Sequence, residues 1–257
     1  MNKSYFNRRS PWRKSIFWLS LLIGAENSVA QAPERFLIQL TAGAAVPMGK
    51  FGAADFTHFP VAEANGSALA GPLAKLKIAY QLNDLVGFAV SMGWQRNGHN
   101  NTVLEDTLKM RYPGYDHYRI RSDPWVLWNG MLGTFVLLPL KSHKVYLRPE
   151  LNAGMAKTSI PGFSYAVYNQ TITLRGPQPA SGAFGKIPMP WTFCYDVGAY
   201  LQWFGSAHLS YSAGVTFFHT APSWKYNYTP SPGPGTPETT QYPISVIQAN
   251  LSAGYRF

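Results

Sequence analysis

At 257 residues, with 13% charged and 15% aromatic side chains, the chain is poor in charge and rich in rings for a water-soluble protein. Yet no hydrophobic run beyond the first 30 residues is long enough to cross a bilayer as a helix. The net charge of +10 includes a surplus of four from Lys3, Arg8, Arg9, Arg13 and Lys14 against Glu26, and the remaining +6 is scattered, which excludes a basic nucleic-acid surface; the single cysteine, Cys194, excludes an intramolecular disulfide.

Residues 1–30 read as a secretory signal: basic "NKSYFNRRSPWRK", a short apolar "SIFWLSLLIGA", then small residues. Cleavage is expected after Ala30, because a cut after Ala32 would place Pro33 next to the scissile bond. The expected domains are therefore a signal peptide at 1–30 and one β domain at 31–257.

Beyond it the apolar residues recur with period two. In "FLIQLTAGAAV" Phe36, Ile38, Leu40, Ala42, Ala44 and Val46 share a face opposite Gln39, Thr41 and Gly43. "AKLKIAYQL" sets Ala74, Leu76, Ile78 and Tyr80 against Lys75 and Lys77. After a tight "ND" turn, "LVGFAVSMGW" sets Val86, Phe88, Val90, Met92 and Trp94 against Gly87, Ser91 and Gly93. The run from Trp125 to Leu140 is apolar on both faces, so its register stays open. "KVYLRPELNAGM" puts Val145, Leu147, Leu151, Ala153 and Met155 opposite Tyr146, Arg148, Glu150, Asn152 and Gly154. "WTFCYDVGAYLQW" and "HLSYSAGVTF" alternate in the same way, with Asp196 on the polar face. The closing strand, Ile244 to Phe257, makes about eight.

The connections alternate too. Those at "ND", "KSH" and "GSA" are a few residues long, whereas 47–69, 97–124, 157–190 and 219–243 are long and rich in Gly, Pro, Asn and Tyr. In an up-and-down barrel every second connection lies at the same end, so one rim is tight and the other carries the long loops. Within the third long loop, "YAVYNQTITLR" suggests a short hairpin, and "SPGPGTPETT" in the fourth reads as a stiff tip.

A lipocalin-like barrel also has eight alternating strands, but turns its apolar face inward. Three features favour the opposite arrangement. The polar face is crowded with Gly and Ser, as a narrow packed interior requires. It carries few charges, of both signs: Lys75, Lys77, Arg148, Glu150, Asp196 and Arg256. Aromatics gather near both ends of the apolar face, with Trp94, Trp191 and Trp224 toward the long loops and Tyr80, Trp203, Tyr255 and Phe257 toward the short turns, as in interfacial girdles. The expected fold is thus an all-β, eight-stranded antiparallel up-and-down transmembrane barrel.

The stretches "AGAAVPMGKFG", "AYQLNDLVGFAVSMGW", "YLRPELNAGM" and the terminal "LSAGYRF" together resemble the small outer-membrane barrels of Gram-negative bacteria, of PorT-like or OmpX/OmpW-like type as found in Bacteroidetes. That resemblance implies an outer-membrane location, contact with membrane lipid and lipopolysaccharide, and an assembly signal in Leu251, Ala253, Tyr255 and Phe257 read by the barrel-assembly machinery. It implies a structural or surface-binding role with an extracellular ligand held by the loops. The alternatives are an OmpW-like conduit for small apolar molecules, a lipid-modifying enzyme and a helper in secretion.

Counting up from the short turns, Lys77 and Glu150 lie at similar heights and Arg148 one inward position lower. The expectation is a lumen network of Lys77, Arg148 and Glu150, with Lys75 and Asp196 paired above it. For catalysis the best constellation is His219 with Ser223 and an acid such as Asp123 or Glu238, but its spacing does not match the His-x-Ser pattern of deacylase barrels. The reading is therefore of a non-enzyme without cofactor or metal.

Overall fold

The computed structural model describes residues 35–53, 66–140, 144–169, 180–205, 208–228 and 236–257. The secretory-signal expectation, the "KSH" turn and the second arm of the "YAVYNQTITLR" hairpin lie outside the described residues. Eight long strands make the barrel: β1 (Phe36–Met48), β2 (Gly71–Gln81), β3 (Val86–Asn97), β4 (Trp125–Val136), β5 (Val145–Ile160), β6 (Thr192–Phe204), β7 (Leu209–Thr220) and β8 (Ile244–Arg256). Each pairs antiparallel with the next. β8 then returns to β1, in register from Leu37↔Arg256 to Met48↔Ser245. Just past that ladder Phe36 and Phe257 exchange backbone hydrogen bonds of 3.1 and 3.0 Å. Closure pairs every barrel strand on both sides, the arrangement that lets strands cross hydrocarbon.

The period-two pattern sets which way each side chain points. Leu40, Leu132 and Leu251 are 66%, 67% and 67% exposed on the outer face, while Gln39, Lys77, Arg148, Asp196 and Gln248 are buried inside. A water-soluble domain buries leucine and exposes lysine; here both are reversed, so the barrel wall fits an apolar surrounding.

The register left open at 125–140 resolves with Val126, Trp128 and Leu132 outward and Trp125, Leu127, Met131 and Phe135 inward. Apart from Asn129, the large inward residues of β4 are apolar, and they pack on an aromatic ring or on a flat guanidinium. Trp125 meets Phe51 edge-on at 5.4 Å, and Phe135 carries the Arg148 guanidinium on its ring at 4.3 Å.

At the short-turn end, Asn83 closes the β2–β3 hairpin by accepting from the backbone N–H groups of Leu85 and Val86 at 2.9 and 2.8 Å, the local bond that makes Asn a turn residue. The long-loop end holds more order than the sequence expectation gave it. A 3₁₀ turn at Gly49–Phe51 drops the Phe51 ring into the barrel mouth, where it is buried. An α-helix, α1 (Asn101–Arg111), starts at Asn100, whose side chain accepts from Thr102 N–H. It buries Leu104 and Leu108 on one face and pairs Glu105 with Lys109 across one turn at 2.9 Å.

Strands His117–Ser122, Phe163–Tyr168 and Ala180–Phe184 form a separate three-stranded sheet with the middle segment at its centre. Residues 163–168, the first arm of the expected hairpin, thus pair with 180–184 and also with the preceding long loop. The fourth loop forms a two-stranded ribbon of Ser223–Tyr228 and Thr236–Gln241.

Candidate functional site

The lumen is filled by side chains in layers. Lowest, near the short turns, Leu37, Ala79, Ala89, Phe135 and Leu137 form a small apolar cluster. Above it Arg148 donates to Glu150 Oε2 at 2.8 Å, Gln202 Oε1 at 3.1 Å and Gln39 Oε1 at 3.5 Å. Gln39 in turn donates to Ser212 Oγ at 2.7 Å, so this layer alone joins β1, β5, β6 and β7.

The next step up carries the other charges. Lys77 Nζ lies 2.5 Å from Glu150 Oε1 and 4.9 Å from the Tyr200 ring centre. Lys75 Nζ lies 3.1 Å from Asp196 Oδ2. Asn152 Nδ2 bridges the two carboxylates, donating to Glu150 Oε1 at 2.8 Å and Asp196 Oδ1 at 2.6 Å. The structure thus brings together all five lumen residues named from the sequence, with the Lys75–Asp196 pair above the Lys77–Glu150–Arg148 cluster. All five are buried, and charges removed from water need opposite charge and hydrogen bonds on their remaining lone pairs. Two carboxylates face three cations, and neutral amides and hydroxyls complete the shell.

Sequence reasoning placed Asn152 on the inner face but gave it no role, although the signal was present as an amide one inward step beyond Glu150. Its place depends on a glycine: a Cβ at Gly133 would come within 1.7 Å of Asn152 Oδ1. Likewise a Cβ at Gly214 would lie 2.4 Å from the Tyr200 ring. The small residues of the inner face are the gaps into which the large ones fit.

Higher still, the lumen turns neutral. Thr216 donates to Gln248 (3.0 Å), Gln248 to Gln95 (3.0 Å) and Gln95 to Asn97 (3.0 Å). Asn97 ends the chain on the carbonyls of Ala45 and Leu69 at 3.0 and 2.9 Å. The top layer is apolar: Phe51, Trp125, Phe218, Ile244 and Val246 pack together, with Trp125 Nε1 donating to Gly66 O at 2.8 Å. Side chains thus occupy each described layer from Phe135 up to Phe51.

Of the catalytic constellation weighed from the sequence, His219 and Asp123 lie against other groups, and the Glu238 side chain lies outside the described residues. His219 Nδ1 lies 2.9 Å from Ser245 Oγ, its cross-strand neighbour on β8. Its ring stands among Tyr195 and Phe217 at 5.4 and 6.4 Å, a belt position. Asp123 turns its carboxylate toward Gly162, where an added Cβ would lie 3.2 Å from Oδ2. Among the described residues no group of three or more His, Cys, Asp or Glu is placed to hold a metal ion. Cys194 is buried.

The closing-strand residues Leu251, Ala253, Tyr255 and Phe257 all point outward, Phe257 being 53% exposed with its ring 5.4 Å from that of Tyr255. At the other end of the apolar band Ala74, Trp94, Trp128 and Lys157 follow one another across four strands, and the Lys157 ammonium sits 5.8 Å over the Trp191 ring. Rings at both edges of an apolar wall are what a bilayer interface selects.

A closed eight-stranded antiparallel wall, apolar outside and packed with polar groups inside, defines a small membrane-spanning β-barrel of the outer-membrane type. No family model matches the chain, and no curated protein matches it either. Solved structures similar to it include Neisserial surface protein A, with 13% identity, a TM-score of 0.45 and coverage of 89% of this chain and 100% of that one. Others are the attachment invasion locus protein Ail of Yersinia pestis (14%, TM-score 0.41, 88% and 100%) and the outer membrane protein OprG from Pseudomonas aeruginosa (9%, TM-score 0.45, 89% and 98%).

Proposed function

We propose that the protein resides in the bacterial outer membrane as a plugged barrel that presents its long loops for binding outside the cell, and that it is neither a channel nor an enzyme. The observation that carries this reading is the lumen, occupied from the Phe135 layer to the Phe51 layer by groups bonded to one another. Ions need a continuous wet path, and a barrel of eight strands is just wide enough for its own side chains to fill. The helix and two small sheets at the long-loop end supply a folded surface for a partner, and binding residues are disproportionately carried on loops held by a rigid scaffold.

Planar-bilayer recording tests the plug. The refolded protein is expected to give no stable single-channel steps, whereas steady conductance would favour the conduit. Lipid A mass spectra that change when the gene is deleted would favour the enzyme.

The partners in this reading are membrane lipid, lipopolysaccharide and, during biogenesis, the barrel-assembly machinery. Phe257 lies at an apolar rim, where its partial burial in lipid contributes at most about 1.5 to 3 kcal/mol by area. Phe257→Ser should therefore still refold in detergent while its yield in the outer membrane drops. Equal loss in both assays would remove the assembly role.

A further inference from the structure

Just above the belt of Trp94 and Trp128, the outer flank of the barrel opens into a groove of about 420 Å³. Its floor is Gly71 and Pro72 at the start of β2 and Arg96 near the end of β3; Gly98, Asn101 and Ser122 line its upper wall. Two positions beyond Trp94 on the same outward face, Arg96 is exposed, and no carboxylate among the described residues forms a salt bridge with it. Asp123 turns its carboxylate toward Gly162 although its neighbours Ser122 and Pro124 both line the groove. On the upper wall Ser122 Oγ donates to Asn101 Oδ1. Among the described residues the groove's lining thus holds one arginine, the His99 imidazole, hydroxyl and amide groups and no carboxylate, and it opens directly over an apolar wall.

The geometry points to a binding site for the phosphorylated headgroup of a membrane lipid. An acyl chain lying along Ala74, Trp94 and Trp128 would bring a phosphate to the height of Arg96, whose guanidinium offers several donors to an oxyanion. The Ser122 and Asn101 side chains are suited to the hydroxyls of a sugar or glycerol headgroup. This inference rests on the membrane-spanning reading and adds a specific lipid contact to it.

Two substitutions separate charge from space. Arg96→Gln removes the cation from an exposed position. Gly98→Leu fills the recess, and a Cβ there meets only Leu69, at 3.5 and 3.7 Å, so the backbone accepts it. Lys109→Gln, on the exposed side of α1, serves as the control.

Each protein is folded into micelles carrying phosphatidylglycerol or phosphatidylcholine, checked for the heat-modifiable folded form, and its retained lipid is counted by native mass spectrometry. The parent and Lys109→Gln are expected to retain phosphatidylglycerol preferentially, and Arg96→Gln and Gly98→Leu to lose about tenfold in that preference, the scale of one charge-assisted contact. Equal retention by the parent and both variants overturns the site while leaving the barrel intact. Displacement of the lipid by inorganic phosphate at comparable concentration overturns the lipid as occupant in favour of a soluble phosphate. A parent that inserts into neither micelle fails at the membrane reading instead, and so does not resemble a failure of the site.

Discussion

The barrel wall and the loop structure above it follow opposite rules within one chain. In the wall, Leu132 is 67% exposed and Arg148 is 1% exposed; in the loops, Leu104 and Leu108 are buried and Lys109 reaches solvent beside Glu105. Both regions minimise the same cost, that of an uncompensated polar group away from water or of an apolar group in it. What differs is the surroundings, lipid around the wall and water around the loops. The polarity of a side chain therefore reports its place only once the surroundings of its strand or helix are known.

The strongest way to break this contrast is to unbalance the buried charges. Glu150 holds Lys77, Arg148 and Asn152 at once. Glu150→Gln leaves two cations facing a neutral amide, and removing one partner from a buried pair costs about 3 to 5 kcal/mol. This exceeds the roughly 1 to 3 kcal/mol that a single lost hydrogen bond would imply. Urea unfolding in lipid vesicles should show the loss, and a neutral result would mean that water reaches these groups.

The contrast sharpens in a matched pair of surface leucine-like positions. Met110 on α1 is 77% exposed and Leu132 on β4 is 67% exposed. Leu132→Lys should destabilise the inserted barrel by about 2 to 4 kcal/mol, the cost of a cation facing mid-bilayer. Met110→Lys, in water, should fall within about 0.5 kcal/mol of the parent. Similar costs for the two would contradict the difference in surroundings.

A smaller effect is expected with pH in the loops alone. Burial holds the His99 imidazole down at about 4, below its ordinary 6.5. Because the opened loop binds a proton between pH 6.5 and 4 and the closed one does not, stability falls as pH drops through that window, by about 3 kcal/mol at most, and levels off below 4. Amide protection factors in 98–124, corrected for intrinsic exchange, should show the decline, and His99→Gln should abolish it.

The wall was legible in the sequence because period two survives wherever the inner face is polar. It failed at β4, where Trp125, Leu127, Met131 and Phe135 point inward and the outer face is apolar too. Their partners, Phe51 and Arg148, lie far away in the chain, and no local pattern announces them. Relative heights counted from the short turns sufficed to group Lys77, Arg148 and Glu150, since antiparallel register carries height across strands. The loop helix left a signal that the reading did not use, Asn100 as a cap followed by Leu104 and Leu108 four apart. Of the three-stranded sheet only the middle strand left a signal, read as one arm of the "YAVYNQTITLR" hairpin, because the sheet's strands come from two different loops and their pairing is non-local.

The contrast between wall and loops is most directly measured with spin labels, after Cys194→Ala has freed the chain of its buried thiol. Labels at positions 132, 110 and 212 sample the lipid face, the loop helix and the lumen. The account predicts that in bilayers oxygen relaxes the label at 132 and a water-soluble nickel chelate does not, that the chelate relaxes the label at 110, and that the label at 212 is shielded from both. Free access of the chelate to 212 would mean an open channel, and its access to 132 would mean that the leucine face lies in water.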